Sequence, residues 1–341
     1  MAHLRPGDPD PDSGPGGKSR RDRAQLLLLA GFALAAVFVA FAFLLNSVIY
    51  TENLATRGEG SRATHAIAIA DDAATGTEGV IRYANDHNTS SYTRLEDELV
   101  SGIGDIERLV GTQQLAEGGV LSVSYVSYRK GTWIDQTDRR RNFTDDDFNE
   151  DWMLFDGADG ARAFRINVSN PDDLQKIDTA TTPIENFTVV ATNGTDNWRM
   201  EVYHDNTGVL GLPIGDSYVA EVTDGNGNTG YCSVDDGVDS FWINASAGTF
   251  AGEECNALRF GEGVSAIDRV DFEHGGNMNG TYRLLAAKDQ SSVTSSPYNT
   301  TGDPPPVTRH AIYNATVNVT YDTGSLYYET NRTAEPEEND A

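Results

Sequence analysis

Ala311-Ile312-Tyr313-Asn314-Ala315-Thr316-Val317-Asn318-Val319-Thr320-Tyr321 decides the fold class. Ala311, Tyr313, Ala315, Val317, Val319 and Tyr321 fall on one side of a period of two, and Asn314, Thr316, Asn318 and Thr320 on the other. Such alternation predicts a strand of an antiparallel sheet with one wet face. Asp322-Thr323-Gly324-Ser325 then reads as a turn, with Leu326–Thr330 returning as the second arm of a hairpin. Upstream, Val120–Val126, Ala163–Val168, Phe187–Ala191, Trp198–Tyr203, Tyr218–Val222, Val270–Phe272 and Tyr282–Ala286 are further strand candidates.

Before residue 119 the period lengthens. Ala66, Ala70, Ala73, Val80 and Ala84 recur near every 3.5 residues. Tyr92, Leu95, Leu99, Ile103, Ile106 and Val110 follow at steps of three and four behind a Thr93/Glu96 capping box. Two amphipathic helices are expected, packed on a sheet or used between subunits. Residues 289–308, ending Pro304-Pro305-Pro306, form a loop or linker.

The N-terminus carries Lys18-Ser19-Arg20-Arg21-Asp22-Arg23, and the 20 residues Leu26–Leu45 have neither a charge nor a hydrogen-bonding side chain. A helix of that length covers roughly 30 Å, a bilayer's hydrocarbon thickness. Basic residues on one flank orient it with the N-terminus cytoplasmic and the rest outside the cell. The run is too long for a cleavable secretory core, and its A-x-A pattern, Ala40-Phe41-Ala42, lies inside it. A retained signal anchor is the plain alternative. Arg23-Ala24-Gln25-Leu26, set between basic residues and an apolar helix, resembles the class III signal peptide of archaeal pilins and archaellins. The resemblance implies a cytoplasmic cut between Ala24 and Gln25. It also implies assembly with like or related subunits through the N-terminal helix. It covers about 30 residues, Lys18–Ile49, and Ala24 stands where Gly is commoner.

The expected fold class is therefore α+β: one N-terminal transmembrane helix, short amphipathic helices, then a β-rich, mainly antiparallel exterior domain. The expected boundaries are a disordered, basic-ended leader at 1–24, a membrane helix at 25–50 and a helical stalk at 51–118. A β-rich exterior domain at 119–332 and an acidic tail at 333–341 complete the chain.

The formal charge is −27, and only four of the 25 basic residues are lysine. At molar salt the screening length falls to about 3 Å, so such a surface ceases to repel itself. The composition resembles that of haloarchaeal proteins. It argues against a nucleic-acid partner, which needs a basic footprint. Asn-x-Ser/Thr sequons occur at Asn88, Asn142, Asn167, Asn186, Asn193, Asn244, Asn279, Asn299, Asn314, Asn318 and Asn331, all beyond the apolar run, as expected of a glycoprotein's exterior. Two cysteines, Cys232 and Cys255, are expected to pair in an oxidising compartment.

The six histidines are scattered, and no H-E-x-x-H, G-x-S-x-G or phosphate-binding loop is present. Neither enzymatic activity nor a cofactor is expected. No metal is expected either: Asp224, Asn226 and Asn228 alternate as in a calcium loop, but Thr229 replaces the required glycine, and a simple turn is the better reading. Two function classes remain. One is a membrane-anchored cell-surface structural protein, a pilin-like or minor pilin subunit. The other is a tethered exterior module that binds a glycan, solute or protein.

Overall fold

In a computed structural model of the chain the described residues are 37–39, 41–42, 62–116, 118–177, 185–206, 216–293, 298 and 306–336. Cα proximity divides the chain into two units, Met1–His65 and Ala66–Ala341. In the first, residues 37–39 and 41–42 are helical, with Val37, Phe38, Val39 and Phe41 exposed. The fold expectation needs correction here. Among the described residues no helix is long and apolar enough to cross a membrane. The remainder of 25–50 lies outside the described residues, as do the leader, with Arg23, Ala24, Gln25 and Leu26, and residues 337–341 of the tail.

The helices are also long rather than short. α1 covers residues 62–87 and α2 covers Tyr92–Ala116. They form an antiparallel hairpin: Gly76 lies against Ile106, and Gly102 against Val80. α2 starts one residue after Ser91, whose Oγ accepts from the Arg94 amide at 3.3 Å, so the cap is Ser91 and not Thr93. The expected faces are the buried ones. Ala66, Ala70, Ala73 and Ala84 of α1, and Leu95, Leu99 and Ile103 of α2, are nearly inaccessible. They pack on Leu121, Val123, Val317, Val319 and Tyr321 of the sheet. From Ala66 onward the helices share a core with the strands.

The strands are β1 (Gly119–Gln136), β2 (Trp152–Phe155), β3 (Ala161–Val168), β4 (Lys176–Ile177), β5 (Phe187–Thr192), β6 (Asn197–Asp205), β7 (Ser217–Thr223) and β8 (Thr229–Asp235). They continue as β9 (Phe241–Asn244), β10 (Thr249–Phe250), β11 (Glu253–Glu254), β12 (Arg269–Glu273), β13 (Gly280–Ala286), β14 (Val307–Thr323) and β15 (Leu326–Ala334). One sheet runs β11-β10-β9-β3-β13-β1-β14-β15 and the other β2-β12-β5-β6-β7-β8. Among the described residues every pairing is antiparallel except β4 with β6. The inner faces meet in an aromatic core that includes Phe143, Phe164, Phe187, Trp198, Phe272 and Tyr282. Rings such as Phe143/Phe187 and Phe272/Tyr282 pack edge to face at 5.1 and 5.0 Å.

The stretch from Ala311 to Tyr321 is a strand with one correction of phase. β1 pairs Arg129 with Asn314 and then Lys130 with Ile312, so Tyr313 is the extra residue of a bulge. The bulge shifts the alternation by one. Ile312 joins Ala315, Val317, Val319 and Tyr321 under the helices, while Ala311 and Tyr313 join a small cluster with Trp133, Ala163 and Leu285. β15 ends opposite Ala315, so among the described residues no strand lies beside Ile312 on that side. The buried Asn85 amide of α1 takes its place: Nδ2 donates to Ile312 O at 2.9 Å and Oδ1 accepts from Ile312 N at 2.7 Å.

Candidate functional site

The outer face of the eight-stranded sheet is only partly covered by the helix hairpin, and beside the end of α1 it carries arginines. Register places Arg165 of β3 opposite Arg283 of β13, and Arg283 opposite Asp135 of β1. A second bulge concentrates them. In β3 the pairing jumps from Arg283/Arg165 to Leu285/Arg162, and Ala163 takes a positive φ of 59°. Regular alternation would send side chains 162 and 165 to opposite faces. With the extra residue both line one cleft with Arg82 and Arg283, while Phe164 and Ile166 stay in the core.

Arg283 stacks on Trp133, its guanidinium carbon 3.8 Å from the ring centre, and lies 3.6 Å from Asp86. Arg309 donates to Asp135 at 3.0 Å. Burial pushes the Asp135 carboxyl up against the opposing pull of Arg309 and Arg283. The same tract extends to Arg139 and to Trp242, which is 45% exposed and has Arg165 5.9 Å from its ring centre. Adjoining clefts of about 500 and 380 Å³ share Arg165 and Trp242, and another places Arg139 with Arg140. Seven arginines against the aspartates 86, 135 and 239 therefore line a continuous tract in a chain of net charge −27. Fixed guanidinium forks beside an exposed indole suit carboxylate or sulfate oxygens on a ring-shaped ligand.

The residues singled out by sequence fall elsewhere. Cys232 and Cys255 form a disulfide that ties β8 to the loop after β11. Asp224 closes the β7–β8 turn. Its carboxylate accepts from the amides of Asn226 and Asn228 at 2.9 and 2.8 Å and from Asn228 Nδ2 at 2.8 Å. Hydrogen bonds from Asn228 hold Asp224 below the usual carboxylate range. Its oxygens are turned to protein donors.

The sequons divide by burial. Asn142 and Asn331 are exposed, and Asn88, Asn193, Asn279, Asn314 and Asn318 are half-buried. Asn299 lies outside the described residues. Asn167, Asn186 and Asn244 are 3–5% exposed, and the first two direct Nδ2 to Phe241 O and Glu201. These three side chains are held inside the fold, unlike the exposed Asn142 and Asn331.

Sequence reading missed both the arginine tract and a cluster of His204, Asp216 and Asp236, whose ligand atoms all lie within 4.8 Å of one another. An excess of arginine over lysine was visible, but only strand register shows which arginines meet.

A β-sandwich of two mainly antiparallel sheets, one capped by a helix hairpin, is the class of protein these residues build. Residues 20–147 match the model of a family of unknown function, DUF7261. No curated protein and no solved structure matches the chain. The matched segment ends before β2, so it contains α1, α2 and β1 but only Arg82, Arg139 and Arg140 of the tract.

Proposed function

We propose that the chain is a cell-surface protein whose exterior β-sandwich binds a carboxylated or sulfated saccharide in the arginine tract. The carrying observation is the row Arg165–Arg283–Asp135 beside exposed Trp242 in an otherwise strongly acidic molecule. Asp135 and Asp86 hold the arginines in position, and Trp242 offers a flat face to a sugar ring. At high ionic strength long-range attraction is screened, whereas hydrogen-bonded guanidinium–carboxylate contacts persist. The disulfide and the exposed sequons Asn142 and Asn331 support an exterior location.

The test is titration of the full chain, at molar salt, with an oligouronate and with a neutral oligosaccharide of the same length. The oligouronate binds and the neutral sugar does not; Arg165→Ala and Trp242→Ala each weaken binding about tenfold or more, the loss of roughly 1.4 kcal/mol of contact. Equal binding of both sugars, or insensitivity to Arg165→Ala, refutes the reading.

A second reading, a pilin-like structural subunit, rests on Arg23-Ala24-Gln25-Leu26 and the apolar run behind it, both inside the segment matched by the family model. The N-terminus of the protein from its native membrane fraction separates the two. A start at Gln25 supports assembly, and a start at Met1 or Ala2 removes it.

A further inference from the structure

His204 sits at the end of β6 with its side chain only 6% accessible, and among the described residues neither ring nitrogen has a hydrogen-bond partner. A neutral imidazole carries one donor and one acceptor, and leaving both unmet inside a protein is costly. The ring leans on Tyr218, with centroids 4.8 Å apart, so it is held rather than free to swing into solvent. Its Nε2 points toward a carboxylate, lying 3.6 Å from Asp216 Oδ1, too far for a hydrogen bond. Asp236 supplies a second carboxylate, and the backbone joins the two acids, Asp236 N donating to Asp216 O at 3.2 Å.

We propose that His204, Asp216 and Asp236 bind a divalent cation of the zinc class. An imidazole nitrogen with two carboxylate oxygens is a donor set that suits zinc and its neighbours, whereas magnesium and calcium prefer oxygen alone. Zinc sits about 2.0–2.2 Å from such ligands, so ligand atoms within 4.8 Å of one another converge by rotation of the two exposed aspartates, while the buried histidine stays put. Three protein ligands leave a fourth position for water.

The site joins the end of β6, the residue before β7 and the residue after β8. Register sets Asp205 opposite Ser217 and Ser217 opposite Asp235, so the ligands are neighbours at one end of three adjacent strands. A cation there would fasten that end of the seven-stranded sheet, as the disulfide fastens β8 to the loop after β11.

The test uses the full chain, disulfide intact, stripped with chelator and titrated with Co²⁺ alone in molar salt containing excess Mg²⁺. Visible absorption of nitrogen-ligated, four-coordinate cobalt should appear at one equivalent and be displaced by Zn²⁺. His204→Gln should abolish the band, and Asp216→Asn or Asp236→Asn should weaken binding at least tenfold. Zn²⁺ should also raise the unfolding temperature of the parent but not of His204→Gln. A parent protein with no band, or a band unchanged in His204→Gln, overturns the proposal. The first result would leave only an imidazole–carboxylate pair, and the second only adventitious surface carboxylates. Circular dichroism of each variant distinguishes loss of the site from loss of the fold.

Discussion

Replacing Asn85 by alanine should destabilise the protein far more than one side-chain amide at a helix end ordinarily would. Asn85 is 4% exposed and Ile312 is fully buried. The amide satisfies both the N–H and the C=O of Ile312, at 2.7 and 2.9 Å, beside the Tyr313 bulge and beyond the end of β15. Alanine removes the protein partner of one donor and one acceptor on the buried Ile312 backbone. Each such group costs about 1–3 kcal/mol, so Asn85→Ala should cost about 2–6 kcal/mol. Asn85→Asp keeps the acceptor but places a carboxylate against the Ile312 carbonyl, and should be no better above the carboxylate's pKa. The measurement is the denaturant midpoint at fixed molar salt, with the slope checked for two-state behaviour. A loss below about 1 kcal/mol, with slope unchanged, would mean the bulge finds other partners and would refute this account of how α1 is attached to the sheet.

Gly102→Ala sets helix propensity against packing. Alanine is favoured by about 1 kcal/mol in a helix, but its Cβ would stand 2.4 Å from Val80 Cγ1 where α1 and α2 cross. A net loss of about 1–2 kcal/mol in thermal or chemical unfolding is expected, partly recovered in Val80→Ala/Gly102→Ala; a stabilised single variant would contradict the crossing. Burial holds the Tyr282 and Tyr298 phenols well above their ordinary 10.0. The folded protein therefore keeps protons that the unfolded chain gives up, and stability should fall as pH rises past 10. Phenolate absorbance should appear for these two only with unfolding, and ordinary titration of every tyrosine in an intact fold would show the assignment to be wrong.

Much of the fold was legible because it depends on local alternation. Period two marked β3, β5, β6, β7, β12, β13 and β14, and steps of three and four marked the buried faces of α1 and α2. The short strands β2, β4, β10 and β11 have too few residues to show a period, and β8 and β9 lie among turn residues. The phase of β14 was misread because a bulge leaves no mark in a hydrophobic pattern: Ala311 and Tyr313 look like partners of Ala315 until the register is known. The membrane helix expected over residues 25–50 meets the finding that no described helix is long and apolar enough to span a bilayer.

The sequence by itself determined the sheet and helix periods, the net acidic charge and the pair of cysteines, all properties of neighbours along the chain or of composition. The sites were decided by tertiary structure. Arg165 and Arg283 lie more than a hundred residues apart and meet only through pairing of β3 with β13, with the Ala163 bulge turning Arg162 to the same face. His204, Asp216 and Asp236 are scattered along the sequence and converge because β6, β7 and β8 end together. Antiparallel register brings distant side chains within reach of one ligand, and no spacing along the chain encodes it.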